Sequence, residues 1–386
     1  MDRFKHISTS RDKTLFTPGP LTTSRTVKQA MLRDLGSRDV EFKEMVQEIR
    51  CELLRIAGLK KSEYEVVLMQ GSGTFGLESV VSSSVPPGGK LLVIVNGAYG
   101  KRIVDMSKIM NIDTLVLERP ENSQPSLNQI EDILFRDKAI TNVAVVHCET
   151  TLGIMNQIKE IGEIVKATGK IFFVDAVTTF GAVPINFQEC GIDYLVAAVN
   201  KSLEGVPGFS VIFAKSEHLQ QIKNCRRSLS LDLYAQWEEL ETSGEFRFTP
   251  PTHAMMAFKQ ALIELEEEGG VKGRAERYKA NTEVLIPGMR KLGFREYLFP
   301  NVRSYIITAY LNHDHPNYSF EEFYKLLSEK DQIIYPWKLN AWSGFRIGTM
   351  GRIFPKDIKR LLNAIEETLN EMGVEFYNQA NVQFHL

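Results

Sequence analysis

Six short apolar runs, set apart by stretches of helical or polar pattern, constrain this chain more than any other feature of its sequence. They are Glu65 to Met69 (EVVLM), Lys90 to Val95 (KLLVIV), Asp113 to Leu117 (DTLVL), Asn142 to Val146 (NVAVV), Ile171 to Val174 (IFFV) and Tyr194 to Ala198 (YLVAA). Continuous rather than alternating apolar character suits strands covered on both faces. The intervals leave room for crossover helices, so the chain reads as repeated βαβ units feeding a mostly parallel sheet. Upstream, Phe42, Met45, Val46, Ile49, Leu53 and Ile56 recur at spacings of three and four, one face of a helix that ends before Gly58.

The texture changes near Pro251. Long helical patterns cover Thr252 to Glu268 and Val271 to Leu292, followed by a strand at Ser304 to Ala309 and a helix at Ser319 to Glu329. A closing helix is striped by Ile358, Leu361, Leu362, Ile365 and Leu369. The expected organisation is an N-terminal arm (1–20), a large α/β domain (21–268) and a smaller α+β C-terminal domain (269–386), in keeping with a length of 386 residues.

Lysine and arginine number 46 against 48 aspartates and glutamates, a formal charge of −2, which lacks the basic excess that draws a protein to nucleic acid. No apolar run reaches the ~18 residues that span a bilayer. Met1 to Lys13 has mixed charge and none of the apolar core of a secretory leader. Cys51, Cys148, Cys190 and Cys225 form no CxxC pair for metal or redox work. A soluble, cytoplasmic protein with reduced, mostly buried thiols is the expectation, with no nucleic-acid partner, no membrane and no metal.

Three segments carry chemistry. Gln70-Gly71-Ser72-Gly73-Thr74-Phe75-Gly76 follows an apolar run and opens a helical pattern. Glycines there let the backbone approach an anion, and the free N–H groups and dipole of a helix start favour phosphate. The same glycines spell G-x-G-x-x-G, but a nicotinamide dinucleotide needs an acid at the end of the next strand, where Asn96-Gly97 stands instead. Asp175 ends the run Phe172-Phe173-Val174, and ligands in open α/β sheets bind beyond strand carboxyl ends. Lys201 follows Ala198-Val199-Asn200 and precedes a turn-rich loop. Taken singly, these are a turn, a capping acid and a surface lysine. Together they supply what pyridoxal phosphate requires: a phosphate anchor, a partner for the ring nitrogen and an amine that captures the aldehyde.

The residues also carry a family resemblance. The chain resembles the fold-type I, class V aminotransferases in LFTPGP from Leu15, QGSGTFGLES from Gln70, NGAYG from Asn96 and HCETT from His147. VDAVTTFG from Val174, NKSLEGVPGF from Asn200, SLSLDLYAQW from Ser228, RFTPPTH from Arg247 and FRIG from Phe345 continue it, so that it covers roughly residues 15 to 370. The strings from Asn200 and Ser228 are similar to a branch that transfers the amino group of 2-aminoethylphosphonate to pyruvate. The resemblance implies a large domain with a mostly parallel mixed sheet flanked by helices, a smaller α+β domain, and a homodimer with shared active sites. It implies that Lys201 captures the aldehyde, that Asp175 pairs with the ring nitrogen, and that Ser72, Gly73 and Thr74 hold the phosphate, with Thr249 reaching it from the second subunit. Tyr99 near the ring face, Thr151 at the ring hydroxyl and Arg346 on the substrate's acidic group complete the implied site. An alanine or serine:glyoxylate type aminotransferase is the alternative, and an NAD-dependent oxidoreductase a distant one.

Trp337 and Thr349 depart from that branch, which carries a small residue at the first place and often an asparagine at the second, and so bear on the exact substrate. His313-Asp314-His315-Pro316 reads as a polar loop rather than a metal site, and Arg226-Arg227 as a solvated pair.

Overall fold

The computed structural model describes residues 12–339 and 342–375, so most of the Met1 to Lys13 stretch and the first part of the N-terminal arm lie outside the described residues. In chain order, β1 (Thr14–Leu15), α1 (Arg25–Gln29), α2 (Val40–Ala57), β2 (Tyr64–Gln70), α3 (Gly73–Ser84), β3 (Lys90–Val95) and α4 (Ala98–Ile109) come first. They are followed by β4 (Asp113–Glu118), α5 (Leu127–Arg136), β5 (Ile140–Val146) and the hairpin of β6 (Cys148–Glu149) and β7 (Ile154–Met155). Next are α6 (Ile158–Ala167), β8 (Ile171–Asp175), β9 (Tyr194–Ala198), β10 (Phe209–Lys215), α7 (Ser216–Gln221), α8 (Leu233–Thr242), α9 (Thr252–Glu267) and α10 (Gly270–Lys291). The chain closes with β11 (Ile307–Leu311), α11 (Phe320–Glu329), β12 (Gln332–Ile333), β13 (Tyr335–Leu339), β14 (Trp342–Gly348) and α12 (Pro355–Glu371).

Two compact units result. The larger takes Thr23–Glu276 and Leu298–Ser304; the smaller takes the chain up to Thr22, Arg277–Tyr297 and the chain from Tyr305 onward.

The larger unit is built on a seven-stranded sheet in the order β2-β10-β9-β8-β5-β3-β4. All six apolar runs of the sequence are strands of this sheet. β10 is the seventh and runs antiparallel between β2 and β9, while the remaining neighbours are parallel. Its sequence, FSVIFAK, is buried almost throughout, but the turn residues just before it mask it as the end of a loop. β4 corrects the expectation of strands covered on both faces. It lies at the sheet edge, its Val116 is 38% exposed, and Asp113 and Glu118 mark its ends with charge, as suits an edge that must not pair further.

α2 has the predicted apolar face, with Phe42, Met45, Val46, Ile49 and Leu53 buried. The Asp39 carboxylate accepts from Glu41 N at 2.9 Å at its start, and Gly58 ends it at φ 67, left-handed backbone that glycine adopts without strain. Because β10 runs antiparallel to both neighbours, β2 is parallel to β9, so Gln70, Val95, Val146, Asp175 and Ala198 all leave the sheet along one edge. This edge is where ligands of open α/β sheets bind.

The smaller unit holds a three-stranded antiparallel sheet, β11-β14-β13. Its core joins Phe294, Phe323, Phe345, Ile358, Leu361 and Ile365, which include most of the stripe read from α12. The four cysteines are free thiols, but only Cys148 and Cys190 are buried, Cys225 is half-buried and Cys51 is exposed. Among the described residues no helix is long and apolar enough to cross a membrane.

Candidate active site

The cup after β2 is shaped by packing. Gly71 takes φ 105 and its N–H donates to Gly208 O at 3.0 Å. A Cβ on Gly73 would lie 2.8 Å from Val177 Cγ2, and one on Gly76 would lie 2.6 Å from Ser210 Oγ. Close seating of α3 on the sheet therefore accounts for two of the three glycines without any dinucleotide. Ser72 occupies the helix N-cap with no side-chain capping bond and its carbonyl accepts from Phe75 N at 2.9 Å, which leaves the N–H groups of Gly73 and Thr74 and the positive end of the dipole for an anion. Arg102 of α4 adds a cation: its Nη1 donates to Thr74 Oγ1 at 3.1 Å and its guanidinium sits 4.8 Å from the Tyr99 ring centre.

Asp175 closes β8, in register with Val146 of β5 and Val196 of β9. Its Oδ1 accepts from Val177 N at 2.9 Å and the residue is 3% exposed. Burial pushes its carboxyl up to about 6, opposed by the Val177 N–H and by the charges of Arg102 and Lys201. Lys201 leaves the adjacent strand on a turn in which its N–H donates to Ala198 O at 3.3 Å and its carbonyl accepts from Glu204 N at 2.7 Å. Acid and amine thus come from neighbouring parallel strands, close enough for one charge to act on the other.

Glu149, within the HCETT segment, has no sequence signature of function, yet it organises the start of α4. Its carboxylate accepts from Gly100 N at 2.6 Å and Tyr99 N at 3.2 Å, and a Cβ on Gly97 would lie 2.5 Å from its Oε2. Thr151 Oγ1 accepts from Ala98 N at 3.2 Å, so Thr151 and Glu149 clamp the turn that presents Tyr99. Burial, and secondarily the charge of Asp175, push the Glu149 carboxyl up to about 7. His147 is buried, bonds Thr179 Oγ1 through Nδ1 at 2.9 Å, and burial lowers its pKa to about 4, so it is neutral at pH 7.

These shifts fix a sign. Glu149 and Asp175 both hold protons more tightly folded than unfolded, so the stability each contributes falls as pH rises from about 4 to about 7, whereas His147, whose folded pKa is lowered, contributes the opposite slope between about 4 and 6.5. Glu149 is expected to withdraw ~3 kcal/mol of stability from the cofactor-free protein as pH rises through its folded pKa of about 7. Scanning calorimetry of Glu149→Gln should show a flatter profile, and a slope equal to that of the wild type would contradict this account.

In the smaller unit, Arg346 lies on β14 between Ala309 of β11 and Tyr335 of β13. It is half-buried, its Nη2 donates to Pro336 O at 3.3 Å, and the Tyr335 ring centre is 5.9 Å from the guanidinium. Trp337 is 5% exposed, with its indole N–H shared between Phe345 O at 3.0 Å and Tyr310 O at 3.2 Å. Gly344 is the counterpart of that ring, since a Cβ there would lie 2.9 Å from it. Thr349 is buried, and its hydroxyl donates to Tyr305 O at 2.7 Å. Both departures from the expected pattern are therefore packing residues of this unit.

Arg227 is not a solvated residue, because its Nη1 donates to Val85 O at 2.8 Å and Ser82 O at 3.0 Å at the C-terminal end of α3. Arg226 pairs with Asp232 at 3.6 Å. His313 packs edge-on against Phe294, with ring centres 5.6 Å apart. Among the described residues no group of three histidines, cysteines or acids is placed to hold a metal. Thr249 and the neighbouring Phe248 are exposed, and Gln70 Nε2 donates to Phe248 O at 2.9 Å.

A mixed, mostly parallel sheet flanked by helices is the arrangement of the fold-type I aminotransferases. The chain belongs to the class V aminotransferase family, whose sequence model matches residues 22–334. It is 46% identical over 357 residues to a protein of Vibrio vulnificus (strain YJ016) named 2-aminoethylphosphonate--pyruvate transaminase, covering 92% of this chain and 97% of that protein. A protein of the same name from Lysinibacillus sphaericus (strain C3-41) is 46% identical over 352 residues, 91% of this chain and 96% of the relative. Among solved structures, the pyridoxamine-pyruvate aminotransferase of Mesorhizobium loti superposes with a TM-score of 0.86 at 23% identity, over 95% of both chains. The ureidoglycine-glyoxylate aminotransferase of Bacillus subtilis does so with 0.87 at 22% identity, over 96% of both. These two likenesses establish the fold.

Proposed function

We propose that this chain is a pyridoxal-phosphate-dependent aminotransferase that moves the amino group of 2-aminoethylphosphonate to pyruvate, giving phosphonoacetaldehyde and L-alanine. The observation that carries the cofactor reading is the pairing at the sheet edge: buried Asp175 beside the charge of Lys201, next to the uncapped start of α3. The substrate reading is supported by relatives of that name at 46% identity over nine-tenths of the chain.

The donor set fits the cofactor. Ser72, Gly73 and Thr74 would hold the phosphate, Asp175 the ring nitrogen, Lys201 the aldehyde, Thr151 the ring hydroxyl, and Tyr99 would lie near the ring face. Bound there, pyridoxal phosphate supplies an aldehyde for the donor's amine and a ring that accepts the electrons of the broken C–H bond. The Asp175 carboxylate would hold a proton on the ring nitrogen: burial pushes its carboxyl up only to about 6, and a cation in contact would lower that value, so it would be charged at neutral pH. Lys201 Nζ would take the proton from the amine-bearing carbon of the donor. Arg346 receives the phosphonate of one substrate and the carboxylate of the other, since its fork donates two parallel bonds to either.

The functional unit is a homodimer in this reading. Thr249 and Phe248 are exposed, and so is Phe75 on the first turn of α3, which supports a second copy covering this rim and lending Thr249 to the phosphate.

The test is a panel of amino donors with pyruvate, and of acceptors with alanine. Alanine formed from 2-aminoethylphosphonate faster than from any amino acid is expected, whereas alanine consumption by glyoxylate without reaction of the phosphonate would replace this reading with an alanine:glyoxylate one. In the same panel Arg346→Ala is expected to raise KM for both the phosphonate and pyruvate by roughly ten- to a hundred-fold.

A further inference from the structure

The turn that presents Lys201 ends in unusual backbone. Glu204 stands at φ 58, a left-handed conformation that a residue with a Cβ adopts only when its surroundings impose it. The bonds that impose it are short: Glu204 N donates to Lys201 O at 2.7 Å, Gly205 N to Val199 O at 2.8 Å and Ser202 Oγ to Thr178 O at 2.6 Å.

Against this turn lies Arg274, from the first turns of α10, with 0% of its surface exposed. Its Nη1 donates to Ser202 O at 2.9 Å and its Nε to Glu268 Oε2 at 3.1 Å. Its Nη2 is 3.0 Å from Glu268 Oε2 and 3.7 Å from Glu204 Oε2. Glu204 is itself 3% exposed. Burying a guanidinium is costly, and an apolar side chain of the same volume would fill this space as stably. What an apolar side chain lacks is a planar fork that meets a carbonyl and a carboxylate of one turn at the same time. The two contacts fall one and three residues after Lys201.

We propose that Arg274 is a positioning residue for the Lys201 amine: by bracketing Ser202 O and the Glu204 carboxylate, and being held in turn by Glu268, it fixes the register of the lysine turn. The inference rests on the reading that Lys201 is the reactive amine. Misplacing a reacting group by about 1 Å costs on the order of 100-fold in rate, so a register device here acts on kcat.

Replacing the whole cluster avoids leaving an unpaired buried charge. The triple variant Arg274→Met/Glu204→Gln/Glu268→Gln, loaded with pyridoxal phosphate, is expected to lose on the order of 100-fold in kcat. Its KM for the amino donor should stay close to that of the wild type, and the pH midpoint of its yellow chromophore should shift. A folded triple variant with wild-type kcat and an unchanged midpoint overturns the proposal. Hydrogen exchange on the unmodified holoenzyme is the second measurement: the Glu204 and Gly205 amides are expected to exchange as slowly as those of β9, and exchange at open-loop rates overturns the proposal even if the variant fails to fold. A wild-type protein that stays colourless with pyridoxal phosphate would count against the cofactor reading instead, and the exchange rates would still report on the turn.

Discussion

Lys201→Ala is expected to all but abolish aminotransfer, leaving on the order of one part in 10⁴ of wild-type turnover, the upper end of what a lost general acid–base group costs. The substitution is well suited to the purpose. The backbone bonds of the turn, Lys201 N to Ala198 O and Glu204 N to Lys201 O, involve no side-chain atom and persist with alanine. Lys201 is half-buried rather than core, so no large cavity opens. What disappears is the amine, and with it both the anchor for the aldehyde and the carrier of the proton. The variant should still bind pyridoxal phosphate through the start of α3, and a small exogenous amine should restore part of the proton transfer. Steady-state assays with 2-aminoethylphosphonate and pyruvate check this, and undiminished turnover would remove Lys201 from the mechanism.

The second large effect is expected at Asp175. Asparagine keeps the shape of the side chain and the bond from Val177 N, but it cannot carry the negative charge that holds a proton on the ring nitrogen. A lost preorganised charge of this kind costs on the order of 10²- to 10³-fold in kcat. The same change removes a carboxylate whose ionisation burial disfavours, so Asp175→Asn should leave the cofactor-free protein at least as stable as the wild type at pH 8. Loss of activity together with preserved or raised melting temperature separates a chemical role from a structural one. A variant that is merely unstable would contradict the assignment.

The gathering of Ser72, Asp175 and Lys201 in the candidate site is legible in the sequence, because each stands just beyond an apolar run and a parallel sheet brings such positions to one edge. The roles proposed for Thr249 and Arg346 rest only on resemblance, since an exposed threonine and an arginine inside a strand have no local signature. Arg102 was not visible, because its nearness to Thr74 depends on where α4 sits against α3, 28 residues apart in sequence. Glu149 stood in plain view in HCETT, yet its partners are backbone N–H groups of Tyr99 and Gly100, about which sequence is silent. Arg274 is further still from Ser202, 72 residues along the chain, and its isolated position in a helical pattern reads as surface charge. At the level of the fold, β10 is hidden by the Gly205, Pro207 and Gly208 that precede it, and β4 reads as covered on both faces because apolar content alone does not distinguish an edge from a centre.

The most direct measurement is borohydride reduction of the protein loaded with pyridoxal phosphate, followed by peptide mass mapping. The account predicts a yellow protein that bleaches on reduction, with one cofactor fixed to the peptide that carries Lys201. A cofactor fixed to any other lysine, or an active protein that takes up no label, would contradict it.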